Sequence, residues 1–220
     1  RRQWKEFDIG SAPKVLGVDV AAQGLDQSVI ARRHGIQMLP FRKFRNIDST
    51  QGAGILVREW NEWGADAAFV DNTGGFGAGW VDQLRMLGKS PIPVHFSAKA
   101  HKSDRYFNKR TEMAFDFIQW VKDGGALPQD DRLLAAMTST TYEFKGDKLL
   151  LEPKEFVKEK IGYSPDEFDA AMLTMAEPVS TAGHQRVRQQ APPIYLPFAE
   201  LDRRDDAHYA AQGFDPYRER

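Results

Sequence analysis

The stretch Lys14–Ala31, "KVLGVDVAAQGLDQSVIA", decides how the rest of the chain is read. Val15–Ala21 reads as a strand, Gly24-Leu25-Asp26 as a turn, and Ser28–Arg33 as a second strand. His34-Gly35 marks another turn and Ile36–Phe41 a third strand. Three strands joined by short glycine-containing turns predict an antiparallel meander. The first strand carries one carboxylate, Asp19, inside an apolar run. Burying an unpaired carboxylate costs on the order of several kcal/mol. Asp19 therefore either faces a cation or shares a polar strand face with Gly17, as side-chain alternation permits.

Outward from the meander, Ser49 or Thr50 is placed to cap a helix running to about Trp63, with Ile55, Leu56, Trp60 and Trp63 at helical spacing. Ala67–Val70 reads as a short buried strand stopped by Asp71. The loop "NTGGFGAG", a helix over Ala78–Met86, and a strand over Ile92–Phe96 follow. Pro91 and Pro93 suit an edge position. An antiparallel part grafted onto a parallel part is an α/β pattern. A polar segment, Ser97–Lys109, leads to a helix over Thr111–Val121 and a short helix over Leu133–Met137. A hairpin "YEFKGDKLLLE" turns at Gly146, and a basic helix Lys154–Lys160 and a final helix Ser164–Ala176 complete the pattern. These elements make residues 1–183 one domain. Residues 184–220, rich in Pro, Gln, Arg and Asp, read as an extended or disordered tail. Ile194, Tyr195, Leu196 and Phe198 offer the alternative of a docking segment.

The 220 residues are 41% hydrophobic and 28% charged, which suits a globular protein with a sizeable core. No apolar run approaches the roughly 18 residues of a membrane span. The absence of cysteine excludes disulfides and thiolate metal sites and favours a cytosolic setting. At a net charge of −1, a surface for nucleic acid has to be a local basic patch offset elsewhere.

Two further acids stand where chemistry is placed. Asp71 ends "AAFVD", and ligands of open α/β sheets bind at the carboxyl ends of strands. The plainer alternative is that Asp71-Asn72 opens a turn. The glycines that follow give G-x-G-x-G rather than G-x-G-x-x-G, and "LGKS" lacks the earlier P-loop glycine, so the nucleotide signal is weak. In "GYSPDEFDAAMLTMA", Ser164 reads as an N-cap, Pro165 as the first helical residue and Glu167 as the partner in a capping box. Phe168, Ala171, Met172 and Met175 then form a core face. Asp166 and Asp169 lie on one side of the helix, either as site acids or as first-turn acids suited to the helix dipole. Together the dispersed carboxylates suggest a site for Mg²⁺ or Mn²⁺, which take oxygen ligands and need no cysteine. Two such ions about 4 Å apart clamp the attacking and leaving oxygens of a phosphodiester. On that reading Asp19 is inside because a cation is inside with it.

Three pieces in this order, "LGVDVAAQGLDQSVIARRHG", "FVDNTGGFGAGWVDQLR" and "GYSPDEFDAAMLTMA", resemble the C-terminal nuclease domain of the large terminase subunit of tailed bacteriophages. "NKRTEMAFDFIQWVKDGG" resembles it as well, and the likeness spans roughly Val15–Ala176. The resemblance implies a ribonuclease H-like fold: a mixed sheet with a three-strand antiparallel meander, flanked by helices. It implies a divalent-metal endonuclease that cuts double-stranded viral DNA concatemers during packaging, with two Mg²⁺ or Mn²⁺ ions per site. Carried over by motif, Asp19, Asp71 and Asp166 are the catalytic metal ligands; the family's pattern also presents Asp169, and either Asp166 or Asp169 can be the third acid to reach metal, Asp166 being preferred because it begins the helix. The family's full-length protein also carries an N-terminal packaging ATPase with a P-loop, and it works with a small terminase subunit and a portal in the host cytoplasm. These residues contain no P-loop, so translocation is not assigned to them.

Duplex DNA would be held mainly through its phosphates. The candidates are Lys102, Arg105, Lys109 and Arg110 around the polar segment and Lys158 and Lys160 on the basic helix, with His101, Arg42, Lys43, Arg45 and Lys154 as further basic positions. Each group is equally readable as a solvated face. Three competing readings remain: a sugar-kinase or actin-like nucleotide fold, another ribonuclease H-like nuclease such as a resolvase or transposase, and a non-enzymatic docking module whose acids are structural.

Overall fold

The structure is a computed structural model that describes residues 9–21 and 27–181. The expected Gly24-Leu25-Asp26 turn and the expected tail at 184–220 lie outside the described residues. Seven strands and six α-helices occur among those described. In chain order they are β1 (Lys14–Asp19), β2 (Ser28–His34), β3 (Gln37–Phe44), α1 (Ser49–Trp63), β4 (Ala67–Asp71), α2 (Ala78–Met86), β5 (Ile92–Val94), α3 (Lys109–Lys122), α4 (Asp131–Ser139), β6 (Tyr142–Lys145), β7 (Lys148–Leu151), α5 (Lys154–Ile161) and α6 (Asp166–Leu173). No helix among the described residues is long and apolar enough to cross a membrane.

The main sheet has the order β3-β2-β1-β4-β5. β1, β2 and β3 form the expected antiparallel meander, whereas β4 and β5 run parallel to β1. Alternation sorts β1 and β4 between two cores. Leu16, Val18, Ala68 and Val70 pack against α1 and α2 through Leu56, Trp80 and Leu84. Val15 and Phe69 point the other way, into a core with Met113 and Phe117 of α3, Leu133 of α4, and Phe168 and Met172 of α6. Gly17 and Asp19 share the parity of Val15, and Asp71 shares that of Phe69. All three are thereby directed to the α3 and α6 side. Val18 pairs with Val70 in parallel register, so Asp19 and Asp71 are the next step on neighbouring strands.

Close approach of α6 to the sheet depends on Gly17. A Cβ at that position would lie 2.2 Å from the Ala170 carbonyl oxygen and 3.0 Å from the Thr174 nitrogen. The glycine lets the last helix rest on the first strand, and that contact brings the acids of both together.

Several element ends differ from the sequence expectation. The cap of α1 is Asp48 rather than Ser49 or Thr50, and it forms a capping box with Gln51. β5 stops at Val94 because the Phe96 amide donates to the Thr73 hydroxyl at 3.0 Å instead of extending the ladder. α3 starts two residues early, with Asn108 accepting from the Thr111 amide, so Lys109 and Arg110 belong to its first turn. The Ser164–Glu167 capping box does not form: Pro165 is the N-cap residue and makes no side-chain cap bond. The Glu167 carboxylate is instead drawn into a buried network. Its Oε1 lies 2.7 Å from Gln27 Nε2, 2.8 Å from Lys43 Nζ and 3.1 Å from Arg132 Nε.

Candidate active site

The carboxyl ends of β1 and β4 and the first turns of α5 and α6 enclose a cleft of about 510 Å³. Asp19, Asp71, Thr73, Arg110, Lys154 and Asp166 contribute to its wall. Asp169 lies beneath it, fully buried. The four acids expected to form one site are thus grouped around one cleft.

A lysine stands at the middle of that group. Lys154 Nζ is 3.1 Å from Asp19 Oδ2, 3.2 Å from Asp166 Oδ1 and 2.9 Å from Asp169 Oδ2. One ammonium partly offsets three carboxylates. As the side chains stand, no three Asp, Glu or His groups among the described residues are arranged to hold a metal ion. The cation position between the acids is taken by Lys154.

Electrostatics separates the acids. Asp19 is raised well above the ordinary carboxylate range, first by burial and then by Asp169, Asp166 and Asp71, with Lys154 opposing. Asp71 is also raised by burial, against hydrogen bonds from Thr73 that lower it. One of these is the Thr73 amide to Asp71 Oδ1 at 2.8 Å. Burial would raise Asp169 too, but Lys154 and Arg110 outweigh it and hold this carboxyl below its usual value. Lys154 is held well above its ordinary value, since Asp169, Asp19 and Asp166 overcome the cost of its burial. Asp166 accepts from the Ser164 hydroxyl through Oδ1, while its Oδ2 is buried with no hydrogen-bond partner.

The glycine-rich loop serves Asp71. Asn72 donates from its amide to the Val94 carbonyl at 2.8 Å, and a 3₁₀ turn over Thr73–Gly75 folds the chain back over the strand end. A Cβ on Gly77 would sit 1.9 Å from the Asp71 carbonyl oxygen, so the start of α2 can lie against Asp71 only with glycine there. The glycines thus serve a tight turn that packs the helix close to the strand end.

The basic residues expected to meet DNA divide into two groups. Lys102 and Arg105 are exposed; Lys102 pairs with Asp116 at 2.8 Å, and Arg105 lies over the Tyr106 ring. Lys158 and Lys160 are exposed on α5, with Lys160 2.6 Å from Glu152 Oε1. Lys109 and Arg110 are not on the surface. Lys109 is 6% exposed and pairs with Glu112 at 3.1 Å and Glu177 at 3.4 Å. Arg110 is 7% exposed and reaches Asp169 at 3.3 Å. Helix α3 begins before the polar segment was expected to end, and its first turn faces inward. Both residues are engaged in internal ion pairs, and Arg110 also lines the cleft. Lys43 is committed to Asp130 and Glu167, and Arg42 to Glu59. Lys154, one of the further basic positions, faces the acids. His95 is exposed beyond β5.

No family model matches the chain, and no curated protein matches it. Solved structures do. The nuclease domain of the large terminase subunit gp2 of bacterial virus Sf6 matches with a TM-score of 0.65 at 23% identity, over 80% of this chain and 91% of that one. A lysine-to-alanine mutant of that Sf6 domain with manganese matches with a TM-score of 0.63 at 22% identity, over 80% and 92% of the two chains. The large terminase nuclease of thermophilic phage G20c with bound magnesium matches with a TM-score of 0.53 at 13% identity, over 76% and 82%. The chain shares the fold of these terminase nuclease domains.

Proposed function

We propose, from that shared fold, that residues 1–183 are a divalent-metal-dependent DNA endonuclease of the large-terminase type, with 184–220 as an appended tail. The observation that carries the reading is the convergence of Asp19, Asp166 and Asp169 within 3.2 Å of one cation, Lys154 Nζ, at the end of the central strand. The chemistry of the donors fits Mg²⁺ or Mn²⁺: four carboxylates, one of them with an unpartnered buried oxygen on Asp166, and no sulfur. Asp19, Asp71, Asp166 and Asp169 would hold two ions once the Lys154 ammonium gives way. When bound, such a pair activates the attacking water and stabilises the leaving 3′ oxygen of a phosphodiester.

The chain's own residues prepare this chemistry. Asp19 and Asp71 are fixed on rigid neighbouring strands, so their separation is set by backbone pairing rather than by loop conformation. Burial of Asp19 raises the cost of its charge and thereby its demand for a cation. Lys154 keeps the group of acids tolerable when metal is scarce. Lys102, Arg105, Lys158 and Lys160 are the surface cations proposed to hold duplex phosphates. The same reading proposes a packaging ATPase, the small terminase subunit and the portal as partners, and the host cytoplasm as the setting.

The test is incubation of supercoiled plasmid with the protein in Mn²⁺, Mg²⁺ or EDTA. Nicked or linear product with either metal and none in EDTA is the expected result. Product that persists in EDTA, or no product under any condition, would count against the proposal. A second prediction follows from the glycine loop. Gly77→Ala forces the Asp71 carbonyl away, and a misplacement near 1 Å is expected to lower cleavage on the order of 10²-fold. Wild-type initial rates from a folded Gly77→Ala protein would show that Asp71 need not be held so tightly.

A further inference from the structure

We propose that Arg110 is a positioning residue: it holds one oxygen of Asp169 so that the other is presented to the cation site. The proposal rests on the nuclease reading above and assigns Arg110 a role other than binding phosphate.

Three contacts fix Arg110. Its amide donates to the Phe96 carbonyl at 3.0 Å, Nη1 donates to the Glu152 carbonyl at 2.6 Å, and Nη2 donates to Asp169 Oδ1 at 3.3 Å. The residue thus links α3, the chain just after β7, and α6. Lys154 meets the opposite oxygen, Asp169 Oδ2, at 2.9 Å. The two cations on this one carboxylate are not equivalent. The Lys154 side chain is 30% exposed and shares itself among three acids, whereas that of Arg110 is 9% exposed and anchored to a backbone carbonyl. An ion entering through the cleft meets Lys154 and can take over its acids. It cannot easily dislodge a guanidinium secured from behind.

Asp169 therefore keeps its orientation when the ammonium leaves. A planar guanidinium on Oδ1 blocks rotation of the carboxylate and directs Oδ2 into the site. Lysine at position 110 would retain the charge but not the fork that reaches the Glu152 carbonyl and Asp169 together. The buried Arg110 Nε has no hydrogen-bond partner, so the guanidinium is placed for Asp169 and Glu152 at some cost to itself.

Isothermal calorimetry with Mn²⁺ alone tests this on the 220-residue chain, comparing wild type, Arg110→Gln and Arg110→Lys, with circular dichroism as the check of folding. Arg110→Gln is expected to weaken Mn²⁺ binding at least tenfold in folded protein, and Arg110→Lys to recover part of the loss. A merely structural arginine would lower the melting temperature in EDTA and leave the Mn²⁺ dissociation constant unchanged, and that result overturns the proposal. If Arg110→Gln does not fold, Arg110→Lys decides alone: weaker binding upholds the role and wild-type binding removes it. Wild-type protein that takes up no Mn²⁺ would overturn the nuclease reading itself, and this inference with it. Equal binding by all three proteins would overturn only the inference.

Discussion

Asp19→Asn is expected to lose metal-dependent plasmid cleavage by about a thousandfold or more while melting no lower than wild type in EDTA at neutral pH. The activity loss follows from removing one acid of the proposed ion pair, whose contribution to the transition state is several kcal/mol, roughly 10³ in rate. The stability claim follows from the raised pKa. Burial and three neighbouring acids make ionised Asp19 less favourable in the folded protein than in the unfolded chain, despite Lys154. From the ordinary carboxylate value near about 4 upward, the folded state binds the proton more tightly, so this group lowers stability as pH rises to its folded pKa. Above that pH the deficit is constant. Asparagine has no proton to lose. The melting temperature of Asp19→Asn minus that of wild type should therefore grow more positive from about pH 4 towards neutrality. Cleavage by the variant at the wild-type rate would sink the metal reading. A difference that stays flat with pH would sink the electrostatic account and leave the metal reading standing.

Gly17→Ala is expected to have the largest effect on folding. The added methyl would lie 2.2 Å from the Ala170 carbonyl oxygen, 2.9 Å from Thr174 Cγ2 and 3.0 Å from the Thr174 nitrogen. Two of the three are backbone atoms of the segment that carries α6, so no side-chain rotation relieves the clash. Either β1 bends or α6 lifts. A loss of about 3 kcal/mol in urea denaturation is expected, at the upper end for overpacking. Cleavage should fall with it, because lifting α6 takes Asp166 and Asp169 away from Asp19. Gly54 on α1 is the control. A Cβ there has nothing within 4 Å, so Gly54→Ala should leave stability unchanged or raise it by up to about 1 kcal/mol. Similar midpoints for Gly17→Ala and wild type would mean that α6 does not depend on this close approach.

Local chemistry made most of the fold legible. The turn at His34-Gly35, the end of the first helix near Trp63 and the hairpin at Gly146 are set by residues a few positions apart, and the structure places its elements accordingly. The acids at strand ends were legible for the same reason, since a carboxylate in an apolar run stands out. What the sequence hid was pairing across distance. Lys154 looks like one more cation on a basic helix, yet it meets Asp19, 135 residues away. Arg110 and Lys109 look like a phosphate-binding pair, and only the packing of α3 turns them inward. Glu167 satisfies the spacing of a capping box, but Lys43, Arg132 and Gln27 outbid the local backbone for it. In each case a short-range rule was overridden by a charge from another element.

The placement of α6 on β1 also orders events in time. A ribosome delivers Asp19 well before Asp169, and such non-local pairings form slowly. A nascent chain, or one clipped by a protease ahead of residue 166, carries half of the acids and no means of completing the set. On the proposed nuclease reading, a capacity to cut DNA would arise only once synthesis has passed α6 and that helix has docked.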